Sequence, residues 1–455
     1  MIRRSTEKPI GEYDEALRHL EIAAEKVRSH EADAGFWALN NLRMNITADP
    51  ALERPEFQAV LSRLRGDWRT GIPGPTVRLD RDLRPIAPIL PLASPAMSSP
   101  SGAARQSVRY AWSMSNDSII AVAQLGAPPW PTKDPFLFCV HHVDDFPPGN
   151  ERLGPDASLA GRDIGQDFAG KDGWRMYHGD KVPGFPQHPH RGFETVTIMR
   201  DGYIDHSDSL GATARFGPGD VQWLTAGAGI VHSEMFPLLD RDQRNRSELF
   251  QIWLNLPARS KFAAPYFMIL WDRQVLRYRT TDAAGRAIEV NMTAGTLAGL
   301  QPPAPPPDSW AANADADVAI WTITLAADAE WTLPPARDAR TGRVLYFFVG
   351  PALEVADRKL TEHSMIEVRG DRPLKLAAVG GPAEILLLQG RPIGETVAHY
   401  GPFVMNTRAE LEQAFADYRR TLFGGWPYPV DDPVFPRERG RFARHADGRI
   451  EEIST

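Results

Sequence analysis

His188-Pro-His-Arg-Gly-Phe-Glu-Thr-Val-Thr197 and Gly219-Asp-Val-Gln-Trp-Leu-Thr-Ala-Gly-Ala-Gly-Ile-Val-His-Ser-Glu234 disclose more about this chain than any other stretch. The first opens on the pair His188 and His190; the second closes on the pair His232 and Glu234. On a β-strand, residues two apart project to the same face. Two such strands facing each other inside a barrel would bring three imidazoles and one carboxylate to a point. That donor set suits a first-row transition metal such as iron, manganese, nickel or zinc. The competing reading is two unrelated pairs on turns, since Pro189 equally marks a bend. The intervening chain, about forty residues with hairpin-like turns, is long enough for two or three strands before it returns to the opposite wall.

Further polar residues surround the two pairs. Counting by twos from His190 through Gly192 puts Glu194 on the inward face, as a ligand, an acceptor that orients a ligating ring, or an ion-pair partner of Arg191 or Arg200. His206 and Asp208 form another pair two apart, read as a solvated turn, with pocket lining as the alternative. His178, in Tyr177-His178-Gly179-Asp180, reads as a surface loop residue that could also cover the pocket mouth.

From about Arg105 the chain shows short β-type runs separated by Gly and Pro, including Ile119 to Ala123, Phe136 to Val140, Thr195 to Met199, Val221 to Leu224 and Leu249 to Leu254. Turn signals at Asp201-Gly202, Gly217-Pro218-Gly219-Asp220 and Gly227-Ala228-Gly229 complete an all-β rhythm of the sandwich or jelly-roll kind. Met199 to Asp201 and Gly217 to Asp220 are expected at strand ends, with no helix between Glu194 and Leu224. A second β region runs from Val318 to Leu388, beyond the proline cluster Gln301 to Pro307. Thr407 followed by Glu410 is a capping-box spacing that opens a helix through about Leu422. At the other end, residues 12 to 70 carry apolar residues at helical spacing, and residues 71 to 104 are Pro-rich and read as a linker. The expected organisation is therefore a helical extension and linker over 1–104, a metal-binding barrel over 105–300, a second barrel over 301–400, and a helix and tail over 401–455.

Composition excludes several classes. The 455 residues are 42% hydrophobic and 24% charged, which is ordinary for a globular protein, and too many for one compact core. A formal net charge of -7 leaves no basic footprint for direct nucleic-acid binding. No apolar run is long enough to span a membrane, and the charged N-terminus lacks a secretory h-region, so a cytoplasmic setting is expected. The single cysteine, Cys139, sits in an apolar run and is read as buried filler, not a nucleophile.

The two stretches quoted first resemble the signature of the pirin family. Leu249-Phe-Gln-Ile-Trp-Leu-Asn-Leu-Pro257, Tyr400-Gly-Pro-Phe-Val-Met-Asn-Thr407 and Phe423-Gly-Gly-Trp426 agree with it, and the likeness runs from about Asp134 to the C-terminus. The resemblance implies a mainly β bicupin, two jelly-roll barrels in which the first holds one divalent metal through His188, His190, His232 and Glu234. Iron(II) is the expected metal, with Mn, Ni, Zn or Cu as alternatives. It also puts Glu194 beside the ligands, not on the metal. The second barrel has no H-x-H, only the isolated His363, and is read as scaffold without metal. The resemblance carries two functions. One is a quercetin 2,3-dioxygenase-like oxidoreductase that takes a small aromatic substrate and O₂, with Glu234 as catalytic base. The other is an iron-containing, redox-sensitive regulator that binds a transcription factor or enzyme. Residues 1 to about 104 have no counterpart in the family's short form. Gly149 to Lys181 is longer than usual and positioned to line or cap the pocket.

Overall fold

The structure is a computed structural model that describes residues 118–453, together with the backbone of one short antiparallel pair, Arg78–Leu79 with Pro85–Ile86. The helices expected over 12–70, and the rest of the Pro-rich stretch, lie outside the described residues. Residues 118–453 belong to one unit of the chain, Val108–Thr455.

Four antiparallel sheets stack in this unit as two sandwiches. In the first, a six-stranded sheet contains Gly184–His190, Ile230–Met235, Ile204–Asp208 and Thr213–Phe216 as successive neighbours. It is extended by Phe442–Arg444 and Ile450–Glu452, so part of the C-terminal tail is built into the barrel. Facing it is a five-stranded sheet in which Phe193–Asp201 lies between Val221–Thr225 and Asn245–Asn255, with Phe136–Phe146 and Tyr266–Leu270 at the edges. Phe146, Met199, Leu224, Phe236, Leu249 and Phe267 fill part of the space between them.

The second sandwich pairs a seven-stranded sheet with a four-stranded one around Val290, Ile323, Leu345, Phe347, Ile366, Leu376 and Leu387. Strands from before the proline cluster take part in it. Leu276–Thr281 pairs with Ala287–Ala294, which pairs in turn with Ala319–Leu325, and Ile119–Gln124 closes the far edge against Ser364–Arg369.

The two sandwiches share a third apolar layer. Val196, Ile198, Val221, Trp223, Phe250 and Ile252 of the five-stranded sheet meet Ile320, Val344, Tyr346, Leu386 and Leu388 of the seven-stranded one. Cys139 is buried in this layer. A sheet covered on both faces needs apolar or satisfied residues at every position. Phe193–Asp201 is accordingly buried through its first seven residues and shows no alternation.

The expected turns fall between strands: Phe193–Asp201 ends at Asp201, and Gly217 to Asp220 joins Thr213–Phe216 to Val221–Thr225. Asp220 accepts the Gly217 N–H at 2.8 Å, and Gly219 turns the chain with φ 82°. The helix is Arg408–Thr421. Thr407 and Glu410 make both bonds of the capping box, and Leu411 and Ala414 are buried against Phe403 and Met405. Among the described residues, no helix is long and apolar enough to cross a membrane.

Candidate metal centre

Antiparallel pairing of Gly184–His190 with Ile230–Met235 sets His232 directly opposite His188 and Ile230 opposite His190. Side chains opposite each other across a pair share a face, so the H-x-H and the second His converge. The donor atoms of His188, His190 and His232 all lie within 4.8 Å of one another. Between His232 and Glu234 the register shifts by one residue, so that Glu234 faces Phe185. The extra residue lies in Gly184–His190, while Ile230–Met235 keeps regular register with Ile204–Asp208, so Glu234 stays on the face of His232, with its Oε2 4.0 Å from His232 Nε2. The carboxylate is held from the opposite sheet: Gln251 Nε2 donates to Oε2 at 2.8 Å, and Thr197 Oγ1 to Oε1 at 3.5 Å. Burial raises the Glu234 carboxyl, while His206, Gln251 and Thr197 pull it back.

The histidines are poised as neutral donors. Nδ1 of His188 donates to the Pro186 carbonyl at 2.9 Å, and Nδ1 of His190 to the Pro402 carbonyl at 3.3 Å. A carbonyl only accepts, so each ring keeps its Nε2 lone pair free. Burial pushes His188 down to about 4 and holds His190 and His232 well below the usual imidazole range. His232 is fully buried, and neither of its ring nitrogens has a hydrogen-bond partner. An orphaned buried imidazole is costly unless something at the site satisfies it. Three neutral imidazoles with a nearby carboxylate fit a divalent transition metal on that count. His190 and His232 are buried, whereas His188 keeps part of its surface accessible.

The other sequence-derived candidates fall in different places. His206 and Asp208 are fully buried, which corrects the solvated-turn reading. They sit opposite Glu234 and His232 on the strand flanking the site. His206 stacks on Phe267 at 4.8 Å, and its Nε2 is 3.3 Å from Asp208 Oδ2. Asp208 Oδ1 closes the following hairpin by accepting from Leu210 and Ala212 N–H, which folds the pair inward. His178 is half-buried. Its Nδ1 donates to the Gly165 carbonyl at 2.8 Å, and its ring meets Phe168 and Phe185 edge-on, with Phe185 next to His188.

Glu194 overturns its expectation. It is fully buried but faces the layer between the barrels, where Thr225 and Ser309 hydroxyls donate to it at 2.7 and 2.5 Å. It makes no bond to a ring of the cluster or to an arginine among the described residues. The parity count failed because the chain turns at Arg191-Gly192, with Gly192 at φ 86°, so alternation restarts at Phe193. Thr195 and Thr197 take the inward positions that Glu194 was expected to share. Sequence reasoning missed Gln251 and Thr197. Their only sequence signal is alternation along strands whose two faces are both buried.

Two jelly-roll sandwiches, one lined by a convergent imidazole cluster, make a bicupin. A model of the Pirin family matches residues 163–254, and one of the Pirin C-terminal cupin domain matches residues 320–424. A pirin-like protein of Caulobacter vibrioides is 38% identical over 245 residues, covering 54% of this chain and 82% of that one. Pirin-1 of Arabidopsis thaliana is 33% identical over 252 residues, covering 53% and 78%. Among solved structures, a quercetin 2,3-dioxygenase from Acinetobacter baumannii superposes with a TM-score of 0.51 at 25% identity, over 68% of this chain and 93% of that one. The chain belongs to the pirin family.

Proposed function

We propose that this chain is a metal-dependent dioxygenase of the cytoplasm that acts on a phenolic or flavonol-type substrate with O₂. In this reading His188, His190, His232 and Glu234 hold one divalent metal, iron(II) in the first place. The observation that carries the proposal is the convergence of three imidazoles within 4.8 Å of one another, two of them buried and His188 partly accessible. The likeness to the Acinetobacter quercetin 2,3-dioxygenase supports the choice of substrate class.

A bound divalent cation would supply a positive centre that lowers the pKa of a substrate hydroxyl and a site for reaction with O₂. The protein's own part is to receive and hold. Glu234 is the group that would accept the hydroxyl proton, because it is the carboxylate set against the histidine cluster. Gln251 and Thr197 fix its two oxygens, so the carboxylate is oriented before substrate arrives. The carbonyls of Pro186 and Pro402 fix two of the imidazole rings. The second barrel has an apolar interior and covers the outer face of the five-stranded sheet that carries Thr197 and Gln251.

Oxygen consumption by iron-loaded protein across a panel of flavonols and catechols tests the proposal. Substrate-dependent uptake that disappears in Glu234→Gln is expected. Metal-loaded protein that consumes no oxygen with any member of the panel would move the regulator function to first place.

A further inference from the structure

Beside the histidine cluster lies a polar chain that the proposed chemistry does not use. It begins at Arg175, which is partly exposed and donates to Asp144 Oδ1 at 3.0 Å. Tyr177 donates its hydroxyl to Asp144 Oδ2 at 2.5 Å, and His142 Nδ1 lies 2.8 Å from the same Tyr177 oxygen. Asp144 and Tyr177 are each 1% exposed, so this arrangement is enclosed. His142 stands on Phe136–Phe146 opposite Leu249, two positions along the neighbouring strand from the Gln251 that holds Glu234.

Hydrogen-bond direction decides what His142 presents. A carboxylate paired to Arg175 can only accept, so the Tyr177 proton points at Asp144. The Tyr177 oxygen must then accept, which puts the proton on Nδ1 of His142. Burial, with help from Arg175 and His141, pushes His142 down to about 3, so the ring is neutral. Its Nε2 is therefore a bare lone pair, and it has no partner among the described residues.

The surroundings say where that lone pair is placed. The Phe185 ring is 6.0 Å from His142, 5.6 Å from His178 and 6.3 Å from His188. Phe168, 45% exposed, meets Tyr177 and His178 edge-on. His142, His178, Phe185 and His188 each keep part of their surface accessible. The cluster thus has an aromatic approach next to His188, largely built from the segment Gly149 to Lys181, with the Nε2 acceptors of His142 and His178 at Phe185.

We propose that His142 is a specificity residue that accepts a hydrogen bond from a hydroxyl on a planar aromatic ligand stacked against Phe185. Tyr177 and Asp144 are positioning residues that fix its tautomer. The substrate role rests on the oxygenase reading above; the tautomer does not.

Quercetin and its fully O-methylated ether, titrated into the zinc-loaded full chain by calorimetry, test the contact. His142→Phe keeps the ring volume and should weaken quercetin roughly 3- to 10-fold, the scale of one neutral hydrogen bond. It should leave both the affinity for the ether and the metal content unchanged. His142→Gln, which restores an acceptor, should recover part of the loss. Nitrogen-15 shifts of the zinc-loaded protein should show His142 protonated on Nδ1 alone, and a mixture of tautomers in Tyr177→Phe. Equal quercetin affinity in wild type and His142→Phe, with oxygen uptake intact, overturns the role of His142 and spares the oxygenase reading. A wild type that neither binds quercetin nor consumes oxygen overturns both. A wild-type His142 protonated on Nε2 overturns the proposal whatever the ligand data show.

Discussion

Gln251 donates to Glu234 across the interior of the first barrel, joining the five-stranded sheet to the strand that carries His232. The bond fixes one carboxylate oxygen without supplying any charge to it. Gln251→Leu removes the donor and keeps a side chain of similar length. Metal affinity, read by competition with a calibrated zinc chelator, should fall roughly 10- to 100-fold, with a thermal midpoint close to wild type. Unchanged affinity would mean that the orientation of Glu234 is irrelevant to the metal.

Glu194 should affect stability and its pH dependence, not the metal. Burial pushes its carboxyl up to about 7 against an ordinary 4.5, with the Ser309 and Thr225 hydroxyls offsetting part of the rise. A folded-state value above the unfolded one favours the protonated form. Its stabilising contribution is complete below about 4.5 and is lost as pH rises through about 7, a swing of about 3 kcal/mol. Glu194→Gln should flatten urea stability between pH 5 and pH 8 and leave metal content at the wild-type level. A variant that kept the full slope, or lost its metal, would refute this role for the residue.

Gly192 carries the turn that separates the two strand parities. Its φ is 86°, and a Cβ added there would stand 2.0 Å from the Val404 carbonyl oxygen. Gly192→Ala should therefore cost roughly 2–4 kcal/mol in chemical denaturation, combining the left-handed backbone with a backbone clash. Gly211, also at positive φ, has nothing near its would-be Cβ and serves as the control. Equal losses at the two positions would show that the contact with Val404 does not matter.

The legible and illegible parts of the sequence divide along physical lines. The pairs His188/His190 and His232/Glu234 could be read because strand alternation is local and both pairs lie within single strands. The capping box at Thr407 was legible for the same reason. Glu194 was misread because one glycine turn resets parity, and no count by twos can see across it. His206 and Asp208 have the composition of a surface turn, and only their pairing to Ile230–Met235 puts them inside. That Leu276–Ala294 belongs to the second sandwich depends on pairing with Ala319–Leu325, across the proline cluster, and nothing local announces it.

The most direct measurement is metal per chain, by elemental analysis, in wild type and in His188→Ala, His190→Ala and His232→Ala purified alike. Convergence of the three imidazoles predicts about one equivalent of a divalent transition metal in wild type and a loss of tenfold or more in each variant. Wild type without stoichiometric metal after reconstitution, or variants that keep full occupancy, would contradict a metal centre at these histidines.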